Sequence, residues 1–583
     1  ILSLVLVSGV FTSCGNASTP GKKNEKNFKE TPDSIEIIDK DLKSATEDVT
    51  AITASTDKNG KVIDNKGIID KMGHRIYSTG QKDAANRLIY TTGKKDSKGN
   101  TLYTANVLDS SGNLIYYAGK LDKNGKIKLI PTNEAPDYST NEQPKEVKPA
   151  NVMTTSTTVA YNGPKAEKAI TNFEAKYTKF YGGSAMDSFN GVASCNDGGY
   201  VVIGQSFSID GDYKDADKTW KDGHSSIIKY DADGKVIWKY YAGGNNTVEF
   251  DDVAVLKDNT IVAVGFTKAT NSQAKLNSSI VSGVIYRFKK DGTLMWAYSL
   301  PSDKKGSGEY ISVVSATPDG GFVVGGKSLS TSGLFTGTSD KGSKAFLFKF
   351  DKNCNIKWKK VLSGSMSNLF CGLDVNDDGE IFATCETTST DGDFSAIQPK
   401  CKKGTNTILI KLDKKGNLKW TKYLESTGNS TFDCVCATSD GGCVVGGSYT
   451  IGKQAGGIFN QNYGKNDGYV IRYSPNGDVY WAKVLGGKKE DIIKDIIEID
   501  GQFIVVGMTD SSDLDFQGLG AGGKNDGFVF VLNEKGNTSK KMLLSGKQDD
   551  AVESVAILDN GDMVVCGWTQ SNDKTFKGSG ASN

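Results

Sequence analysis

The chain has 583 residues, 37% of them hydrophobic, and its 70 basic and 69 acidic residues leave a formal net charge of +1. This length allows several domains, and the near-neutral balance gives no support to binding of nucleic acid or of a charged membrane surface. Histidine occurs only at His74 and His224, and arginine is also scarce. Chemistry that needs a cluster of either residue type is therefore excluded.

The first 14 residues are typical of a bacterial lipoprotein signal. Residues 1–13 form an apolar stretch that ends in small residues, and Cys14 follows it. The stretch is too short to cross a bilayer as a stable helix and suits a signal peptide. Phe11-Thr12-Ser13-Cys14 resembles a lipobox, with Phe where Leu is usual. The resemblance implies lipidation of Cys14 and anchoring to the extracellular face of the cell membrane. A plain secretory signal is the alternative, and the absent initiator Met predicts an incomplete start.

Two polar segments, a tether at 15–50 and a linker at 132–170, flank a short-period repeat at 51–131. In this repeat Asp recurs every 13 residues from Asp57 to Asp122, with Gly or Asn three positions later. Asp-x-x-Gly favours turns, and the Tyr-containing apolar segments between the turns indicate strands. The repeat therefore predicts a small antiparallel β-meander. Its aspartates are interpreted as turn formers, because no unit has the dense oxygen spacing of a calcium loop.

A longer repeat of about 60 residues occupies 171–583. Its units end in a tryptophan, and Lys540 takes the sixth such position; the tryptophans are Trp238, Trp296, Trp358, Trp420 and Trp481. Each unit predicts four short antiparallel strands, with 200–204 as a third strand and 408–412 as a fourth. One such sheet cannot bury both faces, so the units must stack. Six units and part of a seventh predict an all-β fold with a seven-bladed β-propeller.

The repeated motif resembles a family of bacterial cell-surface and secreted proteins. It reads Asp-Gly-Gly-Tyr-Val-Val-x-Gly, then Ser-x-Asp-Gly-Asp, then Ile-Lys-Tyr-Asp-x-x-Gly-x-x-x-Trp. The resemblance implies a propeller, usually without assigned enzymatic activity. The seventh unit breaks off before its last strands. Either residues after 583 complete it, or 166–177 supplies its last strand, since Tyr177 falls in the register of the tryptophans.

Paired aspartates precede the last strand of several units and are the candidate metal ligands; the pairs are Asp210 with Asp212, Asp391 with Asp393, and Asp513 with Asp515. Calcium ligation by these hard oxygens is one interpretation. An Asx-turn in each unit is the other, and repetition favours it because a catalytic pair is needed only once. General acid–base catalysis by two carboxylates stays open, because it depends on their separation in space. No cofactor other than calcium is expected.

Several other kinds of chemistry lack the residues they need. Sialidases bind their substrate's carboxylate with an arginine cluster, and this repeat has only Arg287 and Arg472. His224 is placed in a polar loop and expected to be solvated, which leaves no histidine for a triad or a zinc site. The cysteines fall on predicted strands, where Cys behaves as a small buried hydrophobe.

These observations predict a lipid-anchored bacterial surface protein whose propeller is a non-catalytic binding or scaffolding module for a protein or glycan. Loops at 205–226, 268–283 and 449–467 vary between units and are the expected contact surface. Tyr213, Trp220, Phe459 and Tyr463 are their candidate contact aromatics. The rival hypothesis is a carboxylate-dependent polysaccharide hydrolase or lyase in the propeller's central depression. An enzyme predicts unique, converging acids in one place, whereas a binder needs only varied loops.

Overall fold

The computed structural model describes parts of 68–131 and, with gaps, residues 175–579; the gaps in the latter are 221, 275–280, 301–307, 339–340, 398–404, 425–428, 451–462 and 521–523. The signal at 1–14 with Cys14, the tether, the linker and Phe459 lie outside the described residues. The chain divides into two compact units, of which residues 33–152 form the smaller one.

The smaller unit contains one antiparallel sheet of six strands in sequence order. The strands are β1 (Ile68–Ile69), β2 (Arg75–Lys82), β3 (Leu88–Lys95), β4 (Thr101–Leu108), β5 (Leu114–Leu121) and β6 (Ile127–Pro131). From β2 onward each strand begins 13 residues after the previous one. Ile89, Leu102 and Ala118 are buried. The predicted 13-residue meander is confirmed.

The larger unit contains six sheets of four strands and a seventh sheet of two strands. The sheets in chain order are: β7 (Asp187–Ser194), β8 (Tyr200–Ser206), β9 (His224–Tyr230) and β10 (Val236–Ala242); β11 (Val248–Val255), β12 (Ile261–Thr267), β13 (Ser282–Phe288) and β14 (Leu294–Ser299); β15 (Glu309–Ala316), β16 (Phe322–Ser328), β17 (Lys344–Phe350) and β18 (Ile356–Ser363); β19 (Asn368–Val375), β20 (Ile381–Thr387), β21 (Asn406–Leu412) and β22 (Leu418–Tyr423); β23 (Cys434–Ala437), β24 (Cys443–Tyr449), β25 (Asp467–Tyr473) and β26 (Val479–Leu485); β27 (Asp491–Ile499), β28 (Gln502–Thr509), β29 (Asp526–Leu532) and β30 (Thr538–Leu544); β31 (Asp550–Ile557) and β32 (Met563–Thr569). The described loops include short 3-10 helices at Gly211–Tyr213, Gly333–Phe335, Gly392–Ile397, Leu514–Phe516 and Lys574–Phe576.

The first strand of each sheet lies innermost and closes a ring. Each of β7, β11, β15, β19, β23, β27 and β31 contacts the next of these strands, and β31 contacts β7. Seven sheets around one axis make a seven-bladed β-propeller, so the predicted fold class is confirmed. The expected numbering of strands within a unit was wrong. Residues 200–204 lie in a second strand and 408–412 in a third, because the strand that carries Trp ends each sheet rather than beginning the next one.

Burial follows position within the sheet. The second and third strands are buried almost throughout, as in β8 and β9, whereas the fourth strand β10 is mostly exposed or partly buried. Apolar side chains of neighbouring sheets pack together, as Ile203 does with Phe250 and Val253. Gly204, the last glycine of the repeated motif, allows close packing of the backbone. A Cβ there would lie 1.9 Å from the Ser188 carbonyl oxygen on β7.

Tryptophans of the first, third, fourth and fifth sheets link their sheet to the next. Trp238 Nε1 donates to the Lys290 carbonyl of the following sheet at 2.9 Å, and Trp358 and Trp481 bond the equivalent carbonyls of their neighbours. Each indole also packs against the positive-φ glycine of that neighbouring turn, as Trp238 does on Gly292. This repeated contact explains why Trp and Gly keep a fixed spacing in the sequence.

Tyr177 makes the same contact at the junction of the last and first sheets. Its hydroxyl donates to the Ala232 carbonyl at 3.3 Å, and its ring packs against Gly234. Lys176 forms an ion pair with Asp562 of the seventh sheet, and Phe180 packs with Val565. The segment that precedes β7 therefore joins the seventh sheet to the first, and Tyr177 lies in the predicted tryptophan register.

Candidate functional site

The predicted aspartate pairs hold the loop that follows each second strand. Asp210 accepts the Ser184 backbone N–H at 2.7 Å, and Asp212 accepts that of Gly182 at 3.0 Å. In the fourth sheet Asp391 and Asp393 accept backbone N–H groups of Ser365 and Ser363, at 2.7 and 2.8 Å. Asp513 and Asp515 do the same with Lys488 and Gly486. Each pair thus ties its loop to the segment that enters the same sheet.

Hydrogen bonding explains the acidity of Asp210 and Asp391. The bonds from Ser184 and Ser365 lower the pKa of Asp210 and of Asp391 below the ordinary value. Within the described residues no three His, Cys, Asp or Glu side chains are grouped so that they could hold a metal ion. Each aspartate pair therefore offers two carboxylates that already bond backbone. Calcium binding at Asp210, Asp212, Asp391 and Asp393 stays a prediction.

Two placements made from sequence were wrong. His224 is not a solvated loop residue, because it begins β9 with a fully buried side chain. Neither ring nitrogen has a hydrogen-bond partner in the described structure, and burial lowers the His224 pKa to about 4. Tyr213 is also fully buried and packs edge-on against the His224 ring, so it is not a surface contact aromatic. Trp220 and Tyr463 are partly buried.

A ring of unlike side chains surrounds the propeller axis at one end of the inner strands. The pairing of first and second strands shifts by one residue near the start of β7, as between Phe189 and Gly191, and the same β-bulge recurs in other sheets. Asp433, directly before β23, occupies this position in the fifth sheet. We call these residues the bulge ring; its members are Asn190, Asp251, Ser312, Cys371, Asp433, Lys494 and Glu553.

At three junctions between neighbouring sheets, a bulge-ring residue contacts the next sheet. Asn190 donates to the Phe250 carbonyl at 3.3 Å, and the Cys371 thiol donates to the Phe432 carbonyl at 3.0 Å. Lys494 pairs with Glu553 at 3.1 Å. Bulges redirect side chains, and three bulge-ring residues, Asn190, Asp251 and Glu553, line one cavity.

Deeper in the channel, three aspartates tie the inner strands together. Asp252 accepts the Val314 N–H at 2.7 Å, Asp374 accepts that of Ala437 at 2.8 Å, and Asp495 accepts that of Val555 at 3.0 Å. Burial raises the pKa of Asp252 to about 7 and those of Asp374 and Asp495 to about 6. Each of these carboxyls accepts backbone N–H groups from two residues, which indicates a structural role.

A cavity of about 510 Å³ opens beside the bulge ring where the seventh, first and second sheets meet. We call it the mouth cavity; its lining residues are Met186, Asp187, Ser188, Asn190, Gln205, Glu249, Asp251, Glu553, Trp568, Thr569 and Gln570. It lies at the end of the sheets from which the long loops leave. Its volume falls in the range of small-molecule sites.

The carboxylates of the mouth cavity differ in their partners. Glu553 accepts the Trp568 indole N–H at 2.9 Å in addition to its pair with Lys494. Within the described residues Glu249 accepts one hydrogen bond, a long one of 3.3 Å from Gln205. Burial raises the pKa of Glu249 and, together with the charges of Glu249 and Asp252, raises the pKa of Asp251 well above its usual value. Sequence reasoning missed this site because its residues come from three sheets.

Thiol chemistry finds no support at the mouth. Cys371 is the bulge-ring member of β19, and burial raises its pKa well above the ordinary value, so its thiol stays protonated. The eight cysteines that the structure describes are all free, and seven of them are buried, as the sequence predicts for small core residues.

Comparisons with known proteins find partial similarities. No protein-family model matches the chain. Over 230 residues, 38% of this chain, it is 26% identical to regulatory protein FlaEY of Caulobacter vibrioides, and the match spans only 24% of that protein. The WD40 β-propeller domain of Doa1 aligns with 65% of this chain and 89% of its own at a TM-score of 0.35 and 11% identity. Sqt1 from Chaetomium thermophilum aligns with 65% and 94% at a TM-score of 0.33 and 10% identity.

The ring of sheets itself defines the class of protein: an all-β, seven-bladed propeller built from repeated units. In the described residues no helix is long and apolar enough to cross a membrane.

Proposed function

We propose that this protein is a lipid-anchored binding module of the bacterial cell surface, and that its propeller holds a protein or glycan at the mouth cavity without catalysing a reaction. The observation that carries the proposal is the contrast between a repeated frame and a varied face. The Trp–Gly contacts recur from sheet to sheet, whereas the bulge ring presents six residue types in seven positions. A constant frame with varied surface positions is the usual design of repeat proteins that bind.

An array of glycans and extracellular-matrix proteins, probed with the full chain and followed by analysis for cleavage products, tests this function. Retention of one ligand class without cleavage is expected. Asp251→Asn should weaken retention, because Asp251 lines the mouth cavity. Asp377→Asn is the matched control, since it makes the same charge change at an exposed turn between β19 and β20, at the opposite end of the sheets. Equal retention by both variants would place the binding face elsewhere.

The anchor is a separate part of the proposal and rests on the lipobox-like Phe11-Thr12-Ser13-Cys14. Expression in a bacterium behind a complete signal peptide should give a protein that partitions into detergent and carries acyl mass on Cys14. Cys14→Ser should move the protein to the aqueous phase. Recovery of unmodified Cys14 in the mature chain would contradict the anchor while leaving the binding proposal intact.

Carboxylate-dependent hydrolysis or elimination of a polysaccharide is the second candidate function. It is favoured by Glu249, Asp251 and Glu553, which line one cavity, and by the raised pKa of Glu249 and of Asp251. A carboxyl with a raised pKa can serve as a general acid near neutral pH. Products in the array incubations that disappear with Asp251→Asn or Glu553→Gln would support this function and overturn the non-catalytic one.

A further inference from the structure

The charge of the mouth cavity is one-sided. Glu249, Asp251 and Glu553 are among its described lining residues, which include no lysine or arginine. Two lysines act from outside the lining: Lys494 pairs with Glu553, and the charge of Lys268 opposes the effect of burial on the pKa of Glu249. Asp187, also in the lining, is turned to its own sheet, where it accepts the Gly183 N–H at 2.8 Å and the Ser208 hydroxyl at 2.9 Å. The chain as a whole carries almost no net charge, so this local excess of carboxylates is a property of the cavity.

Asp251 lacks a partner within the described part of the chain. It is partly buried and makes neither a hydrogen bond nor an ion pair there, whereas Glu553 is held by both Trp568 and Lys494. Glu249 lies two residues from Asp251 on β11, both side chains line the mouth cavity, and the charge of Glu249 acts on Asp251. Withdrawing a carboxylate from water without a partner is unfavourable, and a cation supplied by a ligand would offset that loss.

The remaining lining suits an organic cation better than a metal ion. The described residues hold no group of three acids, His or Cys placed to bind a metal. Amide side chains of Asn190, Gln205 and Gln570 face the same space and can accept N–H donors. Met186, 41% exposed at the rim, offers apolar surface to a methylene chain.

We propose that the mouth cavity binds a primary ammonium group carried on a short aliphatic chain, with Asp251 and Glu249 as its counter-ions. This inference rests on the proposed binding function and names its ligand chemistry. The ammonium comes either from a lysine side chain of a partner protein or from a free diamine, and both present the same group. Neutral glycans should not compete for the site.

Isothermal titration of the full chain with 1,5-diaminopentane, with Nα-acetyl-lysine methylamide and with maltotriose tests the assignment. At least one amine is expected to bind saturably with one-to-one stoichiometry, and Asp251→Asn should weaken it about tenfold or more, because the ligand's charge then lacks its counter-ion. Asp377→Asn should leave the affinity unchanged. Binding of the diamine points to a free amine, and binding of the lysine derivative alone points to a protein partner.

Failure of the ammonium assignment and failure of the proposed binding function give different results. No binding of either amine, or binding that Asp251→Asn and Glu249→Gln both leave unchanged, overturns the ammonium assignment. If the array ligand is still lost in Asp251→Asn under those conditions, the cavity binds something else and the proposed function stands. Circular dichroism and the thermal midpoint of each variant establish folding, and Glu249→Gln serves as the test if Asp251→Asn fails to fold.

Discussion

The Trp–Gly contact between neighbouring sheets can be tested with one pair of glycine substitutions. Gly292 has φ +84°, and a Cβ there would lie 2.6 Å from Trp238 Cδ2. Gly198 has nearly the same φ, +82°, but a Cβ there would meet no atom within 4 Å. Both alanine variants suffer the strain of a left-handed residue, about 1–2 kcal/mol. Only Gly292→Ala must also displace an indole.

The distance that the Trp238 ring must move determines the expected difference in stability between the two variants. Carbon atoms pack at about 3.5–4.0 Å, so the Trp238 ring must move by about 1 Å, and such overpacking destabilises by about 1–3 kcal/mol. We therefore expect Gly292→Ala to lower the free energy of unfolding by about 1–3 kcal/mol more than Gly198→Ala does. Urea unfolding followed by circular dichroism measures this difference.

A double-mutant cycle identifies the cause. In a Trp238→Leu background the smaller side chain leaves room for the Cβ, so Gly292→Ala should destabilise less than it does beside Trp238. Equal destabilisation by Gly292→Ala and Gly198→Ala in the otherwise unaltered chain would refute the reasoning, because the backbone conformation alone would then account for both.

Three further predictions concern buried polar groups and ring closure. His224→Phe should raise the free energy of unfolding by about 1–3 kcal/mol at pH 7, because it removes ring nitrogens that are buried without partners. This histidine is protonated near pH 6.5 in the unfolded chain but only near pH 4 in the folded chain. His224 therefore lowers the free energy of unfolding by about 3 kcal/mol in all as pH falls between these values. His224→Phe should lack that loss in acid titrations of the thermal midpoint. The pH dependence from Asp495 has the opposite sign. Its pKa is about 6 in the folded state, which therefore holds more protons than the unfolded state, and the free energy of unfolding falls by about 1 kcal/mol as pH rises from 5 to 8. Asp495→Asn should reduce this fall, and an unchanged dependence of stability on pH would contradict the assignment. Tyr177→Phe should destabilise by about 1 kcal/mol, because its hydroxyl bonds both the Ala232 carbonyl and the Tyr200 hydroxyl. Tyr298→Phe, at a tyrosine for which the described structure shows no hydrogen bond, should be neutral, and equal effects of the two changes would argue against a role of Tyr177 in closing the ring.

Periodicity in the sequence predicted most of the architecture. The Trp spacing gave the number of sheets, and the 13-residue spacing gave the small meander, because each repeat repeats one structural unit. The starting point of each sheet was not predictable in this way. Consecutive strands of an antiparallel repeat are joined by similar turns, so only the ring geometry shows that Trp238 ends a sheet.

The candidate site was predicted less well, for a physical reason. Sequence motifs single out residues that recur, such as Asp210 and Asp212, and recurrence marks a structural role in a repeat protein. Glu553 differs from all its equivalents in the other sheets, and Asp251 from all but Asp433. The two residues lie far apart in sequence, so only closure of the ring brings them together. His224 was misplaced because its polar neighbours resemble a loop, although its side chain is buried.

Closure by the Tyr177 segment also bears on how the chain reaches its fold during synthesis. Lys176 and its partner Asp562 are separated by 386 residues. At about 5–20 residues per second a ribosome needs about 20–80 s to make that interval. The first sheet therefore waits this long for its last neighbour, with the face that later packs against β31 and β32 still open. Contacts of such high sequence separation close late, so the nascent propeller exposes one apolar sheet face until synthesis is nearly complete.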